Sequence, residues 1–284
     1  MIRTRRLFYF LLCIAALAAC SCCIAEESAE DELLIEEIVE YVDLDEVLYD
    51  TTEWKFEIPL RDLDPELIRL ANKHYLLDKT YIPDSLVTIK TRNSSGSNGG
   101  VLKASGGSMQ LSKVCAEALH QMSEAALKDG YKLYLKSAYR SWQTQNTMYY
   151  NRLKRNNGVD DGWVNKPGSS DHQTGLGCDV VPRSWRDKSM NEKMASAPEC
   201  QWMAAHCHEY GFILRYPEDK ENLTEINYEP WHMRYVGITA ATYIMEHNLC
   251  LEEFTEELQG AIQEYLEAGG DPSVVEAYIQ VPQE

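Results

Sequence analysis

The order of apolar patterns between residues 111 and 236 constrains the fold most. From Leu111 to Ala126 the apolar residues recur at helical spacing, and Gly130 follows as a stop signal. Residues 131–137 then alternate as a strand does. Further helices are predicted over 65–73, 141–155 and 198–210, and further strands over 176–181, 212–216 and 232–236. Because helices and strands mix without a regular βαβ repeat, the sequence predicts an α+β fold with a small, largely antiparallel sheet and packed helices.

The first 25 residues have the composition of a targeting segment. Three arginines among the first six residues precede 19 uncharged residues, 7–25. A basic start before an apolar run is typical of a secretory signal. The run Leu17-Ala18-Ala19-Cys20 resembles a bacterial lipobox, in which a lipid on Cys20 would attach the protein to the membrane. Cleavage after Ala25 and retention as an uncleaved membrane anchor are the alternatives. All three predict an extracytoplasmic protein of the cell envelope, either membrane-anchored or secreted.

Charge and composition divide the rest of the chain. Residues 26–50 hold twelve acidic residues and no basic one, so residues 26–58 are predicted to form an extended acidic linker. The main domain is predicted over residues 59–250, followed by a C-terminal helical extension over 251–284. The whole chain carries a net charge of −18. This charge argues against nucleic acid as the partner, because binding phosphates requires clustered lysines and arginines.

Cysteine and histidine are also grouped near residue 200. Cys200, His206, Cys207 and His208 lie close in sequence, but they lack the C-x-x-C pairing that is usual in structural zinc sites. Core packing or a disulfide is therefore the favoured interpretation of the two cysteines, and a second metal is not expected. Cys178 is likewise interpreted as a packing residue.

Three other segments concentrate residues that bind metals or move protons: 137–141, 170–179 and 229–232. The last two contain two histidines, an aspartate and a glutamate close to glycines. Three nitrogen or oxygen ligands, with one position left for water, are the layout of a catalytic zinc site. A carboxylate that is not a ligand can accept the proton of the attacking water. On residue types alone a metal hydrolase is possible, but isolated histidines and aspartates are also common as surface or core groups.

These segments resemble the motifs of one enzyme family. Ser170-x-His172-x-x-Gly175-x-Gly177-x-Asp179 is similar to the S-x-H-x-x-G-x-A-x-D motif of the zinc D-alanyl-D-alanine carboxypeptidases of the VanY type. Glu229-Pro230-Trp231-His232 resembles their E-x-x-H motif, and 137–141 resembles their S-x-Y-R-S segment. Gly177 departs from the usual alanine, which is a change between two small residues. The resemblance runs from about residue 70 to about 237 and implies the Hedgehog/DD-peptidase fold.

The resemblance implies a role for each matching residue. His172, Asp179 and His232 would bind one Zn²⁺ per chain. Glu229 would be the general base and later the proton donor. Arg140 would stabilise the oxyanion that forms at the scissile carbonyl, which suits a fixed, planar guanidinium.

The sequence is less specific about the roles of two further residues and about the backbone geometry around Pro230. Gln145 and Ser170 match positions that line the pocket for the substrate's terminal carboxylate, although a surface or capping role is the alternative for each. Gln145 follows Arg140 by five residues and need not share its helical face. Pro230 argues against a helix between Glu229 and His232 and favours a bend or a strand edge.

The function implied by the resemblance is zinc-dependent hydrolysis of the terminal D-amino acid, D-Ala, from peptidoglycan stem peptides. D,D-carboxypeptidases, L,D-carboxypeptidases and wall endopeptidases share these motifs. A catalytically silent zinc-fold binding protein of the cell envelope is an alternative from another class. The presence of both Glu229 and Arg140 favours the enzyme, because a binding protein needs neither a base nor an oxyanion-stabilising group.

Overall fold

The computed structural model describes residues 52–90 and 102–283. The predicted signal segment, its lipobox and most of the acidic linker lie outside the described residues. Thr52–Glu284 is one compact unit. Among the helices in the described ranges, none has both the length and the apolar composition needed to cross a bilayer.

A five-stranded sheet positions the functional site. Its strands are β2 (Lys103–Ala104), β4 (Leu133–Ser137), β5 (Gly177–Pro182), β6 (Phe212–Leu214) and β7 (His232–Tyr235), and their order is β2-β4-β5-β7-β6. Only the short β2–β4 pair of this sheet is parallel. β1 (Leu86–Lys90) and β3 (Ser108–Ser112) form a separate antiparallel pair. The predicted α+β fold with a largely antiparallel sheet is confirmed.

Helices follow the strands at irregular intervals. They are α1 (Lys113–Lys128), α2 (Trp142–Arg155), α3 (Pro198–His206), α4 (Glu221–Thr224), α5 (Ile238–Glu246), α6 (Leu251–Glu267) and α7 (Pro272–Val275). The Ser141 hydroxyl caps α2 by accepting from the Thr144 amide, as its sequence position indicates. After α3 a 3₁₀ turn ends at Gly211, whose φ of 78° suits glycine. A Cβ there would also lie 2.7 Å from the Tyr235 ring.

Two apolar clusters hold the unit together. The first packs α1 and α3 against the sheet and includes Leu119, Met122 and Val180. The second joins α5 and α6 to the chain before residue 71, and it includes Ile58 and Phe254. Full burial of one such side chain contributes about 1.5–3 kcal/mol.

The start of the folded unit falls within the range predicted as linker. Trp54, Phe56 and Ile58 pack in the second apolar cluster, and the Trp54 and Phe56 rings lie 5.9 Å from Tyr265 and 6.1 Å from Phe254, respectively. We therefore propose that the domain begins near residue 52.

The helix predicted over 65–73 is wrong. The segment makes one turn, in which the Leu67 amide bonds to the Asp64 carbonyl, and then continues irregularly. The carbonyls of Leu67 and Arg69 accept hydrogen bonds from Nη2 of Arg234 instead of from helical amides. A buried guanidinium from a distant strand thus takes the acceptors that a helix would need.

Candidate active site

The three predicted metal ligands come from neighbouring backbone segments. Asp179 on β5 and His232 on β7 are directly opposite each other in the antiparallel register. His172 lies on the 3₁₀ turn Asp171–Thr174 just before β5, and Gly175 ends this turn with φ 71°. A Cβ on Gly175 would lie 3.2 Å from the Ser112 amide nitrogen, so the turn also needs a residue without a side chain. All three predicted ligands are buried.

Their side chains converge on one point. Oδ1 of Asp179 lies 3.0 Å from Nδ1 of His232 and 3.5 Å from Nε2 of His172. One ligand atom from each of the three lies within 4.8 Å of the others. A tetrahedral zinc site with bonds of about 2.1 Å has ligand atoms about 3.4 Å apart, so this donor set fits such an ion. In the described ranges, no other set of three His, Cys, Asp or Glu residues converges in this way.

His172 is held in the form that binds a metal. Its Nδ1 lies 2.7 Å from the Ala138 carbonyl, which can only accept, so Nδ1 donates and Nε2 keeps its lone pair. Burial lowers the pKa of His172 to about 4, and the charge of Arg140 acts in the same direction. The imidazole is therefore neutral at neutral pH, as a metal ligand must be.

Glu229 lies beside this group of ligands. The amide of His232 donates to the Glu229 carbonyl at 3.1 Å, which forms a turn directly before β7. The turn agrees with the bend or strand edge that Pro230 favours. Oε2 of Glu229 lies 3.6 Å from Nδ1 of His232. Burial raises the pKa of Glu229 well above its usual value, the charge of Asp179 raises it further, and Arg140 opposes both.

Arg140 lies between β4 and α2 with its guanidinium fixed. Nη1 donates to Oε1 of Gln145 at 2.7 Å and Nη2 to Oγ of Ser137 at 3.1 Å, while its amide donates to the His172 carbonyl at 3.0 Å. Burial lowers the pKa of Arg140, whereas the charges of Asp179 and Glu229 oppose this shift. An arginine stays charged under these conditions, so the cleft contains a cation of fixed direction.

Gln145 and Ser170 both line the cleft, but their polar atoms are used differently. Oε1 of Gln145 accepts from Arg140, and its Nε2 donates to the Asn165 carbonyl at 2.6 Å. Gln145 is thus anchored to the backbone through its amide nitrogen and orients the Arg140 guanidinium through its amide oxygen. Oγ of Ser170 is buried without a hydrogen-bond partner among the described residues, which leaves it available to a ligand. The substrate-binding role of both residues stays a prediction.

The cleft has a volume of about 360 Å³, within the range usual for small-ligand sites. Besides the predicted residues, its lining includes Met148, Trp163, Asn165, Met190, Asn191 and Trp231. The rings of Trp163 and Trp231 stack with centroids 6.4 Å apart. Sequence analysis missed Trp163 and Asn165, because neither belongs to a motif that spacing could reveal.

A second group of residues that the sequence analysis did not identify lies behind His232. Asp171 is fully buried between two arginines: Oδ2 accepts from Nε of Arg215 at 2.8 Å, and Oδ1 accepts from Nη1 of Arg234. Burial alone would raise the pKa of Asp171, but the charges of Arg234 and Arg215 outweigh it and lower the pKa. Nε2 of His232 lies 3.9 Å from Oδ2 of Asp171. The sequence contained one indication of this group, because Asp171 lies next to His172 in the ligand motif.

None of the five cysteines in the described ranges lines the cleft. Cys200 and Cys207 are free, buried in the first apolar cluster, and burial raises the pKa of each thiol to about 12. Cys178 is also free and buried in that cluster. These observations agree with the packing interpretation.

Comparison with known proteins identifies relatives of this arrangement. The family model described as VanY, D-alanyl-D-alanine carboxypeptidase, matches residues 108–238. YodJ of Bacillus subtilis (strain 168), which is named as a carboxypeptidase, is 38% identical over 199 residues, covering 69% of this chain and 70% of YodJ. A D-alanyl-D-alanine carboxypeptidase of Enterococcus faecium is 32% identical over 191 residues, covering 67% of this chain but 57% of that protein.

Two solved structures share the fold. The LdcB LD-carboxypeptidase superposes with a TM-score of 0.58 at 38% identity, covering 68% of this chain and 87% of LdcB. A variant of the vancomycin resistance D,D-pentapeptidase VanY, in complex with Zn(II), superposes with a TM-score of 0.51 at 28% identity, covering 66% of this chain and 98% of VanY.

The fold and the site define a peptidase of the DD-peptidase fold, with a group of residues able to hold a metal ion. More specifically, the chain belongs to the VanY family of D-alanyl-D-alanine carboxypeptidases, whose function is related to peptidoglycan.

Proposed function

We propose that this chain is a zinc-dependent carboxypeptidase that releases the terminal D-Ala of peptidoglycan stem peptides. The observation that carries the proposal is the meeting of three groups at one cleft. These groups are the candidate metal ligands, a buried carboxylate with a raised pKa and a partly buried, fixed guanidinium. Metal binding, proton transfer and oxyanion stabilisation are the three tasks of metal-assisted peptide hydrolysis.

His172, Asp179 and His232 would hold the Zn²⁺. When bound, this ion lowers the pKa of water and polarises the substrate carbonyl. The hydrogen bond from Nδ1 of His172 to the Ala138 carbonyl supports the assignment, because an outer hydrogen bond of this kind fixes the orientation of a ligating imidazole.

Glu229 would accept the proton of the attacking water at its carboxylate and then deliver it to the leaving amine of D-Ala. A raised pKa suits both steps, because it makes the carboxylate a stronger base for the water's proton, and the resulting acid can return that proton to the leaving amine. The turn that links Glu229 to His232 keeps this carboxylate next to the ligands.

Arg140 would donate to the oxygen that becomes negative as the scissile carbonyl turns tetrahedral. Its hydrogen bonds to Gln145 and Ser137 set its direction before substrate arrives, so no reorientation is needed during the reaction. Ser170, with an unpartnered hydroxyl in the cleft, would bind the substrate's terminal carboxylate.

Action on cell-wall peptides implies that the enzyme works outside the cytoplasm. We propose that the basic and apolar segment of residues 1–25 exports the protein and attaches it to the membrane, with a lipid on Cys20 as the specific form of attachment.

The substrate is tested by incubating the purified protein with synthetic tetrapeptide and pentapeptide stems and weighing the products by mass spectrometry. Loss of one D-Ala from the pentapeptide would identify a D,D-carboxypeptidase, and loss of D-Ala from the tetrapeptide an L,D-carboxypeptidase. Cleavage only of cross-linked stem dimers would identify an endopeptidase and contradict the proposed exopeptidase function. No cleavage of any stem by zinc-loaded protein would also contradict it.

A further inference from the structure

Glu252 connects the C-terminal helix α6 to the buried charges behind the cleft. Its two carboxylate oxygens accept from Nη1 and Nη2 of Arg215 at 2.8 and 2.6 Å. Nε of the same guanidinium donates to Asp171 at 2.8 Å, so Arg215 bridges two carboxylates. Glu252 lies beyond residue 238, where the match to the family model ends.

The position of Glu252 is itself fixed. It lies in the first turn of α6, whose neighbouring residues Leu251 and Phe254 are fully buried in the second apolar cluster. Nδ2 of Asn72 donates to Oε1 of Glu252 at 3.2 Å. The carboxylate therefore cannot follow Arg215 freely, and it holds that guanidinium in place.

The far end of this chain of contacts is a candidate metal ligand. Nδ1 of His232 faces Asp179, so Nε2 is the outer nitrogen of the ring. Nε2 is buried without a hydrogen-bond partner among the described residues, and Oδ2 of Asp171 lies 3.9 Å away. This separation is about 1 Å longer than an ordinary N–H···O bond. Asp171 is thus the carboxylate that faces the outer side of the ring, at a distance beyond a direct hydrogen bond.

We propose that Glu252 is a positioning residue of the metal site: through Arg215 and Asp171 it sets the orientation of His232. The inference rests on the proposed function, because it takes His232 to be a zinc ligand. Carboxylates that contact the outer nitrogen of a ligating histidine fix its orientation, and their loss typically lowers metal affinity by about 10–100-fold. Glu252 acts two residues further out than Asp171, through Arg215, so we expect the smaller end of that range.

The test compares two glutamates of the same helical turn in the full-length protein. Glu252→Gln removes the charge that holds Arg215. Glu253→Gln is the matched control, since Glu253 pairs with Lys220 at 3.0 Å and accepts from the Cys250 amide, away from Asp171. Zinc affinity is measured by competition with a chromophoric chelator. The visible spectrum of Co²⁺-loaded protein reports ligand geometry independently of activity. Circular dichroism shows whether each variant is folded.

We expect Glu252→Gln to weaken zinc binding about 10-fold and to shift the Co²⁺ bands, and Glu253→Gln to change neither. A folded Glu252→Gln protein with the parent's zinc affinity and spectrum would overturn the inference, because Glu252 would then only hold α6 to the domain. Equal losses in both variants would also overturn it.

Asn72→Ala provides a milder perturbation if Glu252→Gln does not fold. It removes one contact of Glu252 without removing a charge, and we expect a smaller change in the same direction. A parent-like spectrum and affinity in folded Asn72→Ala would then overturn the inference. Failure of the proposed zinc site looks different: the parent protein and His172→Ala would bind zinc equally weakly.

Discussion

Glu229 and Asp171 are both buried carboxylates close to His232, yet their pKa values shift in opposite directions. Burial raises the pKa of Glu229, and its neighbour Asp179 adds a like charge. At Asp171 the same cost of burial is outweighed by Arg234 and Arg215, which hold the pKa below its usual value. Burial alone therefore does not determine what a carboxylate does, and the charges around it do.

The opposite pKa shifts distinguish Glu229, which is suited to proton transfer, from Asp171, which is suited to a structural ion pair. Asp171 is ionised and already bonded to two guanidinium groups, so it has no capacity to exchange protons near neutral pH. Glu229 has a raised pKa and lies at the cleft. Removing the charge of Glu229 should therefore affect turnover, whereas removing the charge of Asp171 should affect stability.

The largest effect is expected from Glu229→Gln. The amide keeps the shape of the side chain but cannot accept the water's proton, so turnover should fall by about 10²–10⁴. Zinc content should be unchanged, and stability at neutral pH should not fall, because the variant loses a carboxylate whose charged form is disfavoured by burial. Steady-state kinetics, metal analysis and thermal unfolding measure the three quantities. Lost zinc would instead make Glu229 a ligand.

The pH profile gives a second measure of Glu229. A base works when deprotonated, so activity of the parent should be lost as the pH falls through the raised pKa of Glu229. Glu229→Gln should lack this acidic limb in its residual activity. An unchanged acidic limb would assign it to another group.

Asp171→Asn should act on stability. Removing this charge leaves Arg215 and Arg234 partly uncompensated in the interior, and breaking a buried ion pair typically costs about 3–5 kcal/mol. Urea denaturation measures the free energy of unfolding. Asp187→Asn is the control, because the Asp187–Arg186 pair is exposed and its loss should leave the midpoint unchanged. Equal midpoints for both variants would contradict a structural role for Asp171.

The lowered pKa of Asp171 also predicts a pH dependence of stability. Its contribution is present above the pKa that it has in the unfolded chain and is lost as the pH falls through the lower pKa of the folded state. The stability difference between the parent and Asp171→Asn should therefore shrink in acid. A difference that does not change with pH would show that the ionised carboxylate is not the stabilising form.

Arg140→Ala should reduce turnover by about 10²–10³, the usual cost of losing one oxyanion donor. Arg140→Lys should recover only part of this loss, because an ammonium group cannot make both bonds that hold the guanidinium to Gln145 and Ser137. Full activity in Arg140→Lys would show that a positive charge of any shape is sufficient.

The smallest effect is expected from removing residues 1–51. A chain that starts at Thr52 keeps the second apolar cluster and should retain its turnover of soluble stem peptides. A chain that starts at Leu60 lacks Trp54, Phe56 and Ile58 and should unfold at a lower temperature. Equal stability of the two shortened chains would contradict a domain start near residue 52.

Much of the fold was predictable because the apolar spacing is local. The amphipathic helix after Leu111 and the strand before Ser137 were predicted within a few residues, although Leu111 itself belongs to β3. The helix over 65–73 failed because Arg234, distant in sequence, binds its carbonyls. No local pattern contains that contact.

The candidate site, like the fold, was predictable from the sequence only in part. The resemblance to the family's motifs implied that His172, Asp179 and His232 form one site, and the structure brings their side chains together. The spacing of five residues predicts only that Gln145 need not share a helical face with Arg140. In the structure Arg140 precedes α2, and its guanidinium donates to Gln145 from outside the helix. The connection from Asp171 to Glu252 spans three segments of the chain and leaves no signature in any one of them.

Metal analysis of the purified protein, combined with an activity assay, tests the central claim most directly. About one equivalent of zinc is expected per chain, as in other three-ligand catalytic sites. His172→Ala should lose most of this zinc together with the activity, and a chelator should inactivate the parent until zinc is restored. A metal-free preparation that cleaves stem peptides at the full rate would contradict the account.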